Sequence, residues 1–393
     1  MIVEPKVRGF ICTTAHPAGC RENVRQQIAY VKSQPGTQGP SRVLVLGSST
    51  GYGLSSRIAA AFGCGAATLG VMYEKPSVKN RTASAGWYNT AAFEQFAQEA
   101  GLYAKTINGD AFSREIKEQV IETIRRDWGT VDCVIYSLAA PRRTAPDGVT
   151  YNSVLKTTGS DYTNKTIDLK TRTVFQVTIG PATQQEIDDT VRVMGGEDWM
   201  DWMKALSDAG VLAQKVITCA YSYLGPQLTH PVYLNGSIGM AKRHLHRTAQ
   251  EITQAFPQVS AYISVNKALV TQSSAAIPIV PLYISILYRV MKEKNLHEGC
   301  IQQMYRLFHD RLFAEPVPVD GEGRIRLDDW EMREDVQVEV AGIWETISTQ
   351  TVQDAADIDG YWEDFYQMFG FSVPGVDYSA QVDPVVPVPS IEE

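Results

Sequence analysis

The stretch RVLVLGSSTGYGLSSRIAAAFG, residues 42–63, constrains the fold more than any other. An apolar run of valine and leucine ends at Gly47, and apolar residues return at helical spacing behind Gly53. A strand feeding a helix through a glycine-rich turn is the simplest structure for such a line. Gly47, Gly51 and Gly53 follow a G-x3-G-x-G spacing. A residue without Cβ makes the tight turn, another lets backbone approach a pyrophosphate, and N–H groups at the helix start face the anion. No Gly-Lys-Ser/Thr follows, which excludes a Walker A loop. A glycine-rich turn alone is a weak signal, and its weight comes from what surrounds it.

The unit recurs. Residues 67–74 read as a strand, 86–100 as a helix, 103–109 as a strand and 112–127 as a helix. A fourth strand, VDCVIYSLAA (131–140), has almost no polar interruption, as in strands buried on both faces. This alternation predicts an α/β fold with a doubly wound, Rossmann-like parallel sheet, its ligand beyond the strands' carboxyl ends. After Pro141 the alternation breaks, and residues 142–180, rich in Thr, Lys and turn residues, read as an inserted β-hairpin. Helices are expected at 183–194, 197–209 and 236–256, and further strands at 213–225 and 259–271. The expected organisation is a single domain over 1–393. Within it lie a dinucleotide-binding half (41–140), the hairpin insertion (141–180), a catalytic half (213–271), a helical substrate-binding lid (272–311) and a C-terminal wrap (312–393). The proline-rich end, VDPVVPVPSIEE, is expected to strap the surface or fray.

Composition excludes several classes. Thirty-six basic against 44 acidic residues give a net charge of −8, which argues against a general nucleic-acid or membrane-surface binder. The start lacks the charged and apolar regions of a signal peptide. The longest apolar passage, Ala275 to Tyr288, contains two prolines and falls short of the roughly 20 residues of a membrane span, so a cytoplasmic protein is expected. Six cysteines are scattered without a C-x-x-C pair and read as reduced thiols. Cys12, His16 and Cys20 have equal four-residue gaps and no fourth ligand nearby, so no metal is expected.

Glu74 closes the second strand, 27 residues after Gly47. An acidic side chain there accepts from ribose hydroxyls and repels a 2′-phosphate, favouring NAD over NADP, although the adjacent Lys75 opposes the repulsion. Asp110 and Ala111, just past the third strand, are placed to meet the adenine; an ordinary turn or N-cap aspartate has the same spacing. Leu138 and Ala139 end the fourth strand where backbone can lie against the ribose. The chemistry is expected near the fifth strand and the helix behind it, in a stretch holding Tyr221, Tyr223, Tyr233 and Lys242. A tyrosine hydroxyl can donate a proton or steady an enolate, and a lysine can lower that phenol's pKa while gripping the nicotinamide ribose. Nine residues of uninterrupted helix turn about 900°, so Tyr233 and Lys242 converge only if the helix starts after Tyr233, near residues 235–237.

These residues carry a family. RGFIC and HPAGC near the start, GSSTGYGLSSRIA, EKP, YSLAAPRR, YSYLGP, the Tyr-x8-Lys of Tyr233 and Lys242, and LVTQSSAAIP at 269–278 span nearly the whole chain. Together they closely resemble the FabV-type trans-2-enoyl reductases, bacterial enzymes that reduce enoyl-ACP or enoyl-CoA thioesters with NADH in fatty acid synthesis. They are larger relatives of the short-chain dehydrogenases, which generally use Tyr-x3-Lys or, in their enoyl reductases, Tyr-x6-Lys. The resemblance implies that Gly47, Ser48, Ser49, Thr50, Gly51 and Tyr52 hold NADH, with Tyr73 and Glu74 at the adenosine ribose and Asp110, Ala111, Leu138 and Ala139 also lining it. It implies Tyr233 as proton donor, Tyr223 against the acyl substrate, and Lys242, Leu269, Val270 and Thr271 at the nicotinamide nucleotide. It also implies a monomer. A short-chain carbonyl reductase is disfavoured because no Ser-Tyr-x3-Lys set exists, and a non-catalytic NAD(H) sensor would not need the Tyr233–Lys242 pair. Ala275 to Tyr288 is read either as a mobile acyl-chain wall hinged at Ser273-Ser274 or as a plain buried helix. Arg142, Arg143, Lys165 and Lys170 are read as solvated charge or as ligands for a CoA or phosphopantetheine phosphate.

Overall fold

Seven parallel strands organise the computed structural model, which describes residues 1–9, 11–79, 81–272, 274 and 277–391. Numbered in chain order they are β1 (Arg42–Leu46), β2 (Ala67–Met72), β3 (Ala104–Asn108), β4 (Val131–Tyr136), β5 (Leu212–Ser222), β6 (Val259–Val265) and β7 (Arg324–Arg326). Their spatial order is β7-β6-β5-β4-β1-β2-β3. The central strands are the most apolar: Val43 through Leu46 and Cys133 through Ile135 have no exposed surface. Chain order reverses between β1 and β4, and such a switch point opens a crevice beyond the carboxyl ends.

Helices cover both faces. On one side are α1 (Pro17–Ser33), α2 (Gly51–Ile58) and α3 (Ala85–Glu99), where Val24, Ile28, Leu54, Ile58 and Phe93 share one apolar cluster. On the other are α4 (Arg114–Asp127), α6 (Glu197–Asp208) and α7 (Ser237–Ala255), packed through Val120, Ile124, Trp199, Trp202, Leu245 and Ile252. A helix α5 (Gln184–Met194) precedes α6 and leans on α7; its capping box joins Thr183 to Glu186. Each predicted strand and helix exists within a few residues of its expected bounds, except that the sixth strand stops at Val265 and leaves 266–271 as irregular chain. Strand β7 and helix α1 had no counterpart in the expectations.

The region 142–180 holds two hairpins: Arg142–Thr144 with Thr150–Asn152, and Tyr162–Asp168 with Thr173–Ile179. Of the four basic residues read there as solvated charge or phosphate ligands, two are neither solvated nor free for a phosphate. Arg143 is buried and lies 3.3 Å from Asp201 and 3.6 Å from Glu197. The Lys165 ammonium donates to the carbonyls of Trp344, Glu345 and Ile347 and docks its hairpin on the C-terminal helices. Both charges serve folding. Arg142 and Lys170 are exposed.

A third body completes the molecule. Helix α8 (Val280–Glu293) is buried from Val280 to Tyr288 and packs on α10 (Glu334–Thr346) and α12 (Ile358–Gln367), with the short α11 (Val352–Ala355) between these two in the chain; the short α9 (Cys300–Arg306) packs instead on α2 and α1. The hinge expected at Ser273-Ser274 falls partly outside the described residues, as do Ala275 and Ala276. Ser274 is tied down, accepting from the Thr271 N–H and donating to the Leu269 carbonyl. Near the start, His16 caps α1, its Nδ1 accepting from the Gly19 N–H at 3.1 Å. Among the described residues no cluster of His, Cys, Asp or Glu could hold a metal ion, and no helix is long and apolar enough to cross a membrane.

Candidate active site

Because all seven strands run one way, every loop after a strand opens on the same rim of the sheet. The sequence-derived candidates follow β1 (Gly47 to Tyr52), β2 (Tyr73, Glu74), β3 (Asp110, Ala111), β4 (Leu138, Ala139), β5 (Tyr223) and β6 (Leu269 to Thr271).

The turn after β1 needs its glycines. Gly47 has φ +81°, and a Cβ there would meet the Ser137 carbonyl oxygen at 2.2 Å. A Cβ on Gly53 would lie 1.8 Å from the Gly47 oxygen, so only glycine lets α2 start this close to the strand. Gly51 has φ +53° and open space where its Cβ would be. The Thr50 side chain makes no cap, which leaves the first N–H groups of α2 free for an anion. These features fit a dinucleotide pyrophosphate. Glu74 is joined to the same turn: its Oε1 accepts from the Ser49 hydroxyl at 2.7 Å, while the Asn108 side chain bonds both backbone groups of Glu74. Tyr73 is 80% exposed. One Asp110 oxygen accepts from the Phe112 N–H at 3.0 Å, forming a turn, and Ala111 is buried with its carbonyl accepting from Trp202 and Lys117. Leu138 is half-buried against Gly47, and Ala139 is exposed.

Tyr233 lies in the irregular lead-in to α7, which begins at Ser237 and carries Lys242 on its second turn. The Tyr223 and Tyr233 rings meet edge to face, centroids 5.0 Å apart at 80°. The Tyr233 hydroxyl has no hydrogen-bond partner among the described residues, and burial pushes its pKa above the ordinary tyrosine value. The Lys242 ammonium donates to the Tyr221 carbonyl at 2.9 Å, and burial lowers its pKa to about 8. The two groups share no direct hydrogen bond; Lys242 is pinned to β5 and keeps two N–H groups for another acceptor. Tyr52 reaches across from α2 and donates to the Lys267 carbonyl at 2.8 Å, bracing the loop that contains Leu269 to Thr271.

Sequence reasoning missed the groups behind this rim: Lys267, Tyr283, Tyr288 and Glu331, all buried. The Tyr288 hydroxyl accepts from the Val270 N–H and donates to Asp364. Tyr283 and Tyr288 sit in a passage read as an acyl-chain wall or a plain buried helix, with no role given to its hydroxyls, and Glu331 is one acid among several in LDDWEMRED.

The chain is similar to known proteins along its whole length. A family model for the catalytic region of trans-2-enoyl-CoA reductase matches residues 81–313, and one for the NAD(P)H binding domain of the same enzyme matches 2–79. An enoyl-[acyl-carrier-protein] reductase [NADH] of Coxiella burnetii is 60% identical, covering 100% of this chain and 98% of its own. A trans-2-enoyl-CoA reductase [NADH] of Ruminiclostridium cellulolyticum is 56% identical, covering 98% of each. The crystal structure of the Clostridium acetobutulicum trans-2-enoyl-CoA reductase in complex with NADH superposes with a TM-score of 0.96 at 42% identity, covering 99% of this chain and 100% of the other. A third family model, described as an enoyl reductase FAD binding domain, matches residues 319–382. Those residues do not fit a flavin. They form one three-residue strand and three helices with no glycine-rich strand-to-helix turn, and Val336, Val340, Trp344, Tyr361 and Phe365 are buried in packing with α8. Matched by these relatives over its whole length in sequence and in fold, the chain belongs to the trans-2-enoyl-CoA reductase family.

Proposed function

We propose that the chain reduces the trans-2 double bond of an enoyl thioester, carried on acyl carrier protein or CoA, to the saturated acyl thioester with NADH, in fatty acid synthesis. The observation that carries this reading is the Tyr233 hydroxyl beside Tyr223, without a partner among the described residues, on the rim where the glycine turn and the uncapped start of α2 suit a dinucleotide. The chemistry NADH supplies when bound is a hydride to C3 of the enoyl group, and a proton at C2 completes the product. Charge develops meanwhile on the thioester oxygen. Tyr233 donates a hydrogen bond there, and a donor already oriented costs little reorganisation as the charge grows. Lys242, fixed by the Tyr221 carbonyl, would hold the nicotinamide ribose through its remaining N–H groups, and Leu269, Val270 and Thr271 would border the nicotinamide. Gly47, Ser48, Ser49, Thr50, Gly51 and Tyr52 hold the pyrophosphate side. Tyr73, Glu74, Asp110, Ala111, Leu138 and Ala139 line the adenosine side, where the Glu74 carboxylate accepts from ribose hydroxyls and repels a 2′-phosphate. Tyr223 borders the acyl group. The enzyme acts as a cytoplasmic monomer; every group named here comes from one chain.

The test is loss of NADH absorbance with crotonyl-CoA, run beside acetoacetyl-CoA. Consumption with crotonyl-CoA is expected, and consumption with the ketone alone would make the protein a carbonyl reductase. Matched enoyl-ACP and enoyl-CoA substrates then identify the carrier by kcat/KM.

A further inference from the structure

Glu331 has no exposed surface and lies just before α10, in the segment that does not suit a flavin. One of its carboxylate oxygens accepts from the hydroxyls of Tyr223 at 2.9 Å and Tyr283 at 2.7 Å. The other accepts from the N–H of Ala268 at 2.7 Å. Donors from the end of β5, from α8 and from the loop after β6 thus converge on one carboxylate. Burial raises its pKa, opposed by the charge of Lys267 and by these hydrogen bonds. A buried carboxylate is costly unless fully bonded, and when ionised it only accepts. The single proton of Tyr223 is therefore turned toward Glu331, while the neighbouring Tyr233 hydroxyl has no partner among the described residues.

We propose that Glu331 is a positioning residue: it holds the Tyr223 hydroxyl proton and the Ala268 N–H on one carboxylate, and so leaves Tyr233 as the sole phenolic donor to the thioester oxygen. This rests on the enoyl reductase reading. It explains how two adjacent tyrosines divide their work, Tyr223 forming a fixed wall and Tyr233 meeting the charge. A glutamine in place of Glu331 keeps one acceptor for Ala268 but presents an amide donor to the tyrosines. The Tyr223 bond would reverse, and its proton would become available to the substrate.

The test compares kcat with crotonyl-CoA and NADH affinity by fluorescence. Tyr233→Phe should lose at least about 100-fold in kcat. Tyr233→Phe/Glu331→Gln should regain roughly tenfold over that single variant, part of the about 100-fold or more that one well-placed oxyanion donor contributes, and adding Tyr223→Phe should abolish the gain. Tyr233→Phe/Tyr283→Phe should show no gain, because Tyr223 remains bound to Glu331. No recovery in the Glu331→Gln double variant with NADH binding intact, or equal recovery in the Tyr283 one, overturns the proposal. In the wild type, NMR of ring-labelled tyrosine should find the Tyr223 hydroxyl exchanging with water more slowly than that of Tyr233. The opposite order overturns the proposal without any variant. A wild type inactive on crotonyl-CoA would sink the reductase reading itself, an outcome separate from either.

Discussion

Tyr233 and Lys242 differ in what holds them, and the roles proposed for them differ accordingly. Tyr233 has no protein partner among the described residues, so removing its hydroxyl strands no buried group. Tyr233→Phe should therefore keep NADH affinity near the wild-type value while kcat falls by about 100-fold or more, and stopped-flow reduction with separate nucleotide titration checks both. Lys242 answers to pH. Burial lowers its pKa to about 8, so the ammonium is present below that value and lost as pH rises through it. Affinity for NADH should accordingly decline between pH 7.5 and 9.5, and Lys242→Met should bind more weakly with most of that dependence gone. Lys267, also lowered to about 8 by burial, lies under the neighbouring loop. If Lys242→Met retains the full pH dependence, the titrating group is Lys267 instead. The stability consequence has a definite sign: a depressed lysine penalises the fold most below about pH 8, and the penalty is relieved as pH rises toward the unfolded value of about 10.4.

At the scale of elements, the β1–α2 corner separates two kinds of glycine. Gly53 has no room, its missing Cβ replaced by the Gly47 carbonyl at 1.8 Å, whereas Gly51 has room and only the wrong sign of φ for other residues. Gly51→Ala should cost about 1–2 kcal/mol. Gly53→Ala should cost more and weaken NADH binding, because α2 must back away from the turn; urea unfolding with nucleotide titration distinguishes them. The reverse ranking would mean that the corner is not packed as described. This corner was legible because its glycines punctuate a strong periodicity, and five further strands announced themselves as apolar runs. Strand β7 did not. It is three residues long, Arg-Ile-Arg, with one buried side chain, and its pairing with β6 depends on distant chain. The tyrosine site was legible in part. The Tyr233–Lys242 spacing showed where the helix had to begin, but no local pattern marks Glu331, which becomes meaningful only when β5, α8 and the loop after β6 arrive around it.

For the whole molecule, the open question in the sequence was whether the proline-rich tail straps or frays, and the contacts answer for a strap. Trp87 donates its indole N–H to the Val386 carbonyl, Tyr88 donates to Pro384, and Val388 is 1% exposed. Beyond these, the Ser390 N–H and hydroxyl both donate to Glu94, a buried carboxylate that also takes the Thr106 hydroxyl and lies 3.8 Å from the fully buried Arg57. Proline makes such a strap favourable because little chain entropy is lost in ordering it. Deleting residues 384–393 leaves Glu94 without two of its donors. A hydrogen bond to a charged group contributes about 1.5–3 kcal/mol, so the truncated protein should be about 3 kcal/mol less stable or worse, and melt at least roughly 5 °C lower. Ser390→Ala removes only the hydroxyl and should show a smaller part of that shift. The tail clasps α3 and β3, on the far side of β1 from Tyr233, so kcat per folded molecule should stay within about threefold in both variants. A truncation that left the melting temperature unchanged would mean that Glu94 is satisfied without Ser390; one that abolished turnover in still-folded protein would mean that the strap reaches the chemistry through β3.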